Sequence, residues 1–412
     1  MPRELAPTPS ARQAADPVSP DRSRAPRRRL LGLLAVVGLL ITACASNAPQ
    51  DTLKPKGPES RYIDARFFPI FWIAVVVFVF VTGITTYVVL KFRERPGRDA
   101  PVQIHGSTKL EITWTVIPFV LMVGVGILSV VGVFHLYENP HGPRINLQAL
   151  SASDTPSLGG QVLEIHVIGH RWWWEFDYPG LGTGYDNLDQ KANESLVTAG
   201  ELHIPAGVRV RLDITSNEPA LSPEGRGPGV EHNFWVPALA GKIYAIPGHI
   251  THLNLEADSK QITDGHPILY SGQCSEYCGL SHANMRFKVL AESPRDFAQW
   301  VSSQNQPARA WSSADQFTDP TAYAGYTLFN GGGGCAGCHT VNGTPASGQV
   351  GPNLTHLQER SVFAGAIFAL NDNNLRTWLR DPQAAKPGAN MRIRKLNEDE
   401  ITKLIAYLDT LK

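Results

Sequence analysis

Apolar and polar positions change their pattern several times along the chain. Residues 1–28 are rich in Pro, Ser, Ala and Arg and almost lack large apolar side chains, so they cannot bury enough surface to fold alone. Arg27, Arg28 and Arg29 then precede a short apolar run, 30–41, that ends Ile41-Thr42-Ala43-Cys44. A basic region, a short apolar core and small residues make a secretory signal; the alternative is a signal anchor that stays attached, although the run is short for a full span. Two longer apolar segments, 67–90 and 112–136, each reach the ~20 residues that cross a hydrocarbon core and predict transmembrane helices. Lys91, Arg93, Arg95, Arg98 and Lys109 lie between them, which places that loop in the cytoplasm and both flanks outside.

Beyond residue 146 the pattern becomes short. The runs 162–168, 202–204, 208–214, 250–255 and 287–290 are rich in β-branched and apolar residues between Gly and Pro breaks, which predicts a β-sandwich or barrel. A polar stretch near 302–318 reads as a linker. It leads to a short helix with Gly325 and Phe329 and a closing helix over 398–411. The expected division is therefore a leader at 1–43, a linker at 44–62, a transmembrane hairpin at 63–139, a β domain at 140–300, a linker at 301–319 and a helical domain at 320–412. With 412 residues, 43% hydrophobic, the chain is too long for one ordinary core. The formal net charge of zero argues against nucleic acid as a partner. Acidic side chains outnumber basic ones over 140–300, and basic side chains exceed acidic ones over 320–412.

The candidate chemistry lies in two cysteine pairs. The five cysteines are Cys44, Cys274, Cys278, Cys335 and Cys338, a pattern of cofactor spacings more than a disulfide framework. Cys274 and Cys278 are followed by His282 and Met285, and His232 stands on an earlier strand-like segment. Two thiolates, two imidazoles and a thioether are soft or borderline ligands and favour copper. The alternatives are a disulfide in an exported domain and a zinc site, which rarely recruits methionine. Cys335-Ala-Gly-Cys338-His339 has the spacing of covalent haem attachment, with a zinc or redox CxxC as its alternative. His249 and His252 have no cysteine or methionine near in sequence and read as surface or packing residues.

The order Cys274-Ser-Glu-Tyr-Cys278-Gly-Leu-Ser-His282-Ala-Asn-Met285 resembles the binuclear CuA loop of cytochrome c oxidase subunit II. That resemblance implies a cupredoxin fold in which Cys274 and Cys278 bridge two coppers. His232 and His282 would each end one copper, Met285 would be a weak ligand, and the carbonyl of Glu276 would be the last. It also implies that Glu276 helps hold a Mg ion at the boundary with the catalytic subunit. Arg171-Trp172-Trp173-Trp174 resembles the family's aromatic segment, whose first aromatic, here Trp172, receives electrons; packing in the core is the alternative, favoured for Trp173 and Trp174 because alternating strand faces cannot present all three to solvent. The string from Gln103 to Pro118 is similar to the start of that family's second helix, where the acid at the Glu111 position lies near a proton-uptake route; an interfacial anchor is the other reading. Cys44 after Ala43 resembles a bacterial lipoprotein box.

The C-terminal layout resembles a class I cytochrome c, with Gly325 and Tyr407 at the crossing of the terminal helices, Cys335, Cys338 and His339 holding haem c, and Met391 as sixth ligand. The glycine run 331–334 departs from that family by moving Phe329 away from Cys335. Residues 60–412 together resemble a caa3-type subunit II with a fused cytochrome c. The resemblance implies a bacterial cell-membrane protein with both metal domains on the outer face. Its partners would be oxidase subunit I, other oxidase subunits, and cytochrome c or a cytochrome bc complex as donor. A CuA subunit of a nitric oxide reductase and a structural quinol-oxidase subunit are the competing readings.

Overall fold

The computed structural model describes residues 32, 50–93, 97, 105–138, 142–145, 161–186, 191–217, 229–262 and 266–412. Apart from residue 32, the leader and the signal lie outside the described residues, as do Cys44, Arg95, Arg98 and Gln103.

Two long helices come first. Helix α1 (Pro58–Lys91) follows Gly57 with proline at its start, Glu59 in its first turn and Lys91 in its last, each charge opposing the helix dipole. Helix α2 (Thr108–Leu136) carries Glu111 in its first turn and His135 in its last. The most apolar stretch of each has a mean hydropathy of 2.6, and almost none of it is buried within the protein. So much exposed apolar surface fits a lipid solvent rather than water. Helix α1 starts well before its apolar run because its first turns are tied to the β domain. Lys56 N donates to Ala238 O at 2.8 Å and Ser60 N to Leu239 O at 3.2 Å, and a Cβ on Gly57 would lie 2.1 Å from Glu256 O. Asn254 Nδ2 donates to Glu138 O just past α2, at 2.8 Å.

The β domain is a sandwich. Its strands are β1 (Leu163–His170), β2 (Trp173–Asp186), β3 (Lys191–Ala199), β4 (Glu201–Pro205), β5 (Val210–Ser216), β6 (His232–Trp235), β7 (Lys242–Ala245), β8 (Thr251–Leu255), β9 (Ile268–Cys274) and β10 (Arg286–Glu292). They form two five-stranded sheets, ordered β3-β2-β1-β5-β8 and β4-β10-β9-β6-β7. Strands β1 and β5 pair in parallel, as do β4 and β10. The core between the sheets contains Ile165, Trp174, Phe176, Leu212, Phe234 and Phe287, all fully buried. Gly272 is required there, because a Cβ would sit 2.1 Å from the Phe287 ring. The β6–β9 pairing, Phe234 opposite Cys274, sets His232 beside the loop that follows β9.

Helix α3 (Pro294–Gln304) packs Phe297, Ala298 and Val301 against the sandwich, its first turn capped by Ser293. The stretch read as polar linker is therefore helical at its start, and α4 (Asp315–Thr318) lies at its end. Helix α5 (Pro320–Asn330) crosses the last helix, α8 (Glu398–Leu408), at Gly325. A Cβ there would lie 1.9 Å from Lys403 O and 2.8 Å from the Tyr407 Cβ, so the crossing is a backbone-to-backbone approach. The glycine run 331–334 leaves it intact: Gly333 N returns to Leu328 O at 2.7 Å, and Gly334 takes the left-handed conformation, φ +71°. Between the terminal helices lie the short pair β11 (Val362–Phe363) and β12 (Phe368–Ala369), then α6 (Asp372–Arg380) and α7 (Pro382–Ala385).

Candidate functional site

The side chains singled out in the β domain meet at one end of the sandwich. His232 opens β6 and Cys274 closes β9, while Cys278, His282 and Met285 lie on the loop into β10. Cys274 Sγ lies 3.8 Å from Cys278 Sγ and 3.9 Å from His232 Nδ1. Cys278 Sγ lies 3.5 Å from His282 Nδ1 and 3.9 Å from Met285 Sδ. The Glu276 carbonyl oxygen is 3.2 Å from Cys274 Sγ. Both thiols are free and buried, so the disulfide reading has no support. The two thiols are tightly coupled: their mutual hydrogen bond, with help from His232, holds Cys274 well below the ordinary thiol range, while the same bond and burial push Cys278 up. Two sulfurs flanked by imidazoles, a thioether and a carbonyl in a dry pocket fit a soft metal pair by donor chemistry, and the proton on the thiols is the one a metal displaces.

Glu276 divides its functions between two directions. Its carbonyl faces the sulfurs, whereas its carboxylate accepts the Tyr244 hydroxyl at 3.0 Å on the outer side. That hydrogen bond raises the Tyr244 pKa. Glu111 is exposed in the first turn of α2, away from the sulfur cluster in sequence and element.

The aromatic run separates by position. Trp174 is fully buried, edge-on to His232 and Phe234. Trp173 stacks on His170 with ring centroids 4.1 Å apart. Trp172 donates its indole Nε1–H to the Cys278 carbonyl at 3.0 Å. Its ring lies between two glycines: a Cβ on Gly279 would be 3.1 Å from it, and one on Gly388 2.9 Å. Gly279 belongs to the thiol loop and Gly388 to the C-terminal domain. Trp172 is consequently only 8% exposed, where the family resemblance implied an exposed side chain.

A cavity of about 510 Å³ adjoins it, lined by Cys335, Cys338, His339 and Met391 from the helical domain and by Arg171 and Trp172 from the sandwich. The volume lies in the range of cofactor pockets. His339 Nδ1 pairs with the Pro352 carbonyl at 2.8 Å, which fixes the ring and leaves Nε2 for the cavity. Gly351 makes room for that ring, since a Cβ would lie 2.5 Å from its Cε1. Burial lowers the His339 pKa, favouring the neutral, ligating form. Trp378 Nε1–H donates to Met391 Sδ at 3.1 Å and orients it. Two thiols for thioether bonds, an imidazole and a thioether around one apolar cavity fit a covalently held haem.

Several residues here carried no signal in the sequence. Lys386 is 3% exposed and reaches the Trp172 and Ala364 carbonyls. Glu201 at the start of β4 accepts from Ser361 N and Val362 N at 2.8 and 3.2 Å, and from the Ser361 hydroxyl. A second group of ligand-type side chains, Glu164, His166 and Asp213, lies across β1 and β5. Arg211 forks onto both Asp213 oxygens at 2.8 and 2.9 Å, and His252 reaches Asp213 at 2.7 Å. It is an ion-pair network that the cross-strand register of His166, Asp213 and His252 assembles.

A sulfur-rich metal pocket at the end of a cupredoxin-like sandwich, next to a c-type haem pocket and carried on two lipid-suited helices, defines a membrane-bound redox subunit. Family comparison narrows that class. The chain matches the transmembrane domain of cytochrome c oxidase subunit II over residues 56–131, the periplasmic domain of the same subunit over 163–292, and cytochrome c over 322–412. It is 33% identical over 381 residues to cytochrome c oxidase subunit 2 of Alkalihalophilus pseudofirmus, covering 92% of this chain and 96% of that one. It is 32% identical over 393 residues to the Bacillus subtilis protein of the same name, covering 93% and 98%.

The chain belongs to the cytochrome c oxidase subunit II family, in the form that carries a C-terminal cytochrome c domain. Copper in the sandwich and haem c in the helical domain follow from those two families. It is thus a membrane protein of a haem-copper oxidase, an oxidoreductase complex with a separate catalytic subunit I, and its sandwich lies on the outer face.

Proposed function

We propose that the chain accepts electrons from cytochrome c or a cytochrome bc complex on haem c, hands them through a CuA copper pair to the haem of subunit I, and so feeds oxygen reduction to water. Cys335 and Cys338 would tether the haem, with His339 and Met391 as its axial ligands. His232, Cys274, Cys278, His282, Met285 and the Glu276 carbonyl would hold the coppers, while the outward Glu276 carboxylate would serve Mg at the subunit I boundary. Glu111, at the first turn of α2, would stand at the mouth of a proton-uptake route, and α1 and α2 would both span the membrane. A structural quinol-oxidase role is disfavoured because the thiol and imidazole set is complete and converges.

The observation that carries this reading is the position of Trp172. Its indole is hydrogen-bonded to the Cys278 carbonyl on one side and covered by Gly388 of the cytochrome domain on the other. It forms part of the cavity wall that also includes His339 and Met391. One side chain thus connects the two cofactor pockets with no solvent gap for an encounter to cross.

The test is rapid photochemical injection of one electron into haem c of the purified complex, followed by the copper absorbance. Copper reduction at a rate independent of protein concentration is expected, and Trp172→Ala should slow it while leaving both cofactor spectra in place. A rate proportional to protein concentration, or one untouched by the substitution, would overturn the relay.

A further inference from the structure

Lys386 is a costly residue to place where it lies. It is 3% exposed, and an ammonium removed from water must recover its hydration from the groups around it. Among the described residues no carboxylate pairs with it. Its Nζ donates instead to two backbone carbonyls, Trp172 O and, at 2.7 Å, Ala364 O. One acceptor belongs to the sandwich and the other to the cytochrome domain, so the ammonium pins the corner of the β1–β2 turn against the loop before β12.

That loop is itself built for the contact. Ala364, Gly365 and Ala366 all have positive φ, at 54°, 76° and 55°, a region that costs a non-glycine residue free energy. Strain of this kind persists only where the surroundings enforce it. Here the surroundings are the paired strands β11 and β12 that the loop joins together with the other domain. A Cβ on Gly365 would meet Lys386 Nζ at 2.5 Å and the Asn284 and Trp172 carbonyls at 2.7 Å each, and Gly365 O accepts from Arg286 N at 3.0 Å. The separate turn that carries Lys386 continues through Pro387, whose carbonyl accepts the Ser281 hydroxyl, to Gly388 against the Trp172 ring. Burial pushes the Lys386 pKa down to about 7, in keeping with a group held inside rather than resting on a surface.

We propose that Lys386 is the latch of the docked cytochrome domain: a positioning residue that holds the 386–388 turn over Trp172 and so fixes the separation of the haem c and copper pockets. The inference rests on the relay proposed above. With the latch closed the cytochrome domain occupies one pose. With Lys386 removed, the Trp172 and Ala364 carbonyls lose their buried donor, and the strained 364–366 loop loses the contact that enforces it. The domain then remains tethered but samples several poses.

The test uses the purified oxidase complex with wild-type chain, Lys386→Met and Gly388→Val. Pulsed electron paramagnetic resonance reads the distance distribution between ferric haem c and the copper site, and photochemical injection reads the transfer rate. In wild type the distribution should be narrow and the rate insensitive to ionic strength. In Lys386→Met the distribution should broaden and the rate fall by about tenfold or more and become salt-dependent, as expected of a charge-guided encounter, with both cofactor spectra unchanged. Gly388→Val drives a branched side chain into the Trp172 ring and should broaden the distribution in the same way, which keeps the latch testable if the lysine variant fails to assemble. A wild-type distance distribution in either variant would overturn the latch. A wild-type rate that scales with protein concentration would overturn the relay instead, and the distance measurement would still decide the latch.

Discussion

Replacing Gly325 by alanine tests the helix crossing that shapes the haem pocket. The added Cβ would lie 1.9 Å from Lys403 O, 2.7 Å from the Lys403 carbonyl carbon and 2.8 Å from Tyr407 Cβ. Ordinary contacts lie at roughly 3.5 Å, so α5 and α8 must separate by more than an ångström, and the obstacle is backbone that no rotamer change can move. Overpacking of this kind costs about 1–3 kcal/mol, while alanine in a helix regains roughly 0.5–1 kcal/mol relative to glycine. Because the obstacle is backbone, the cost lies in the upper part of that range, and the net is about 1–2 kcal/mol. For a domain of this size each kcal/mol moves the Tm by about 4–8 °C, so the cytochrome domain should unfold roughly 5–15 °C lower. Leu404 and Leu408 of α8 line the haem cavity with Met391, and the haem ligation proposed for Met391 should therefore be lost at or before that transition. The assay is thermal melting of the purified complex, followed in the haem c absorbance and separately in the copper absorbance. Copper should melt at its wild-type temperature. A haem transition within about 2 °C of wild type would refute the backbone approach at Gly325.

Three further outcomes follow from separate parts of the chain. Cys278→Ser replaces a soft sulfur by a hard oxygen, so metal analysis should show copper lost while the haem c spectrum persists; normal copper content would contradict the ligand assignment. The Arg394 and Asn397 contacts hold the Glu400 carboxyl down at about 2. Its contribution should be present above the ordinary value of 4.5 and disappear as pH falls towards 2, so Glu400→Gln should lower the cytochrome Tm at pH 7 and match wild type near the acid limit. A reporter active only outside the cell should work when fused after residue 300 and fail when fused near Arg95; the reverse would invert the orientation.

The parts that sequence patterns revealed are those whose physics is local. Apolar runs longer than a bilayer is thick define α1 and α2 whatever they touch, and the ligand spacing from Cys274 to Met285 is a property of one loop. Even His232, distant in sequence, follows from the strand that brings it beside β9. Lys386, Gly388 and Glu201 are different, because their partners lie on the other domain and neither period nor spacing marks a residue buried by docking. The same docking explains Trp172, for which the family resemblance implied an exposed side chain and which another domain covers. Helix α3 could have been found, since Phe297, Ala298 and Val301 recur at helical spacing. The polar residues around 302–306 obscured its end.

Net charge is a weak guide to how these two domains hold together. An acidic sandwich and a slightly basic cytochrome domain suggest long-range attraction, yet the hydrogen bonds that charged side chains make between them go to neutral groups. Lys386 meets carbonyls, Glu201 meets amides and a hydroxyl, and Glu359 meets Ser303 and Gln304 beside the connection. Such bonds depend on direction and dryness, and added salt screens them little compared with exposed ion pairs. The opposite net charges would then matter only while the domain is loose, guiding it back over Trp172. Docking built this way gives a pose that survives changes in ionic strength, and a tether short enough that the loose state rarely finds another partner.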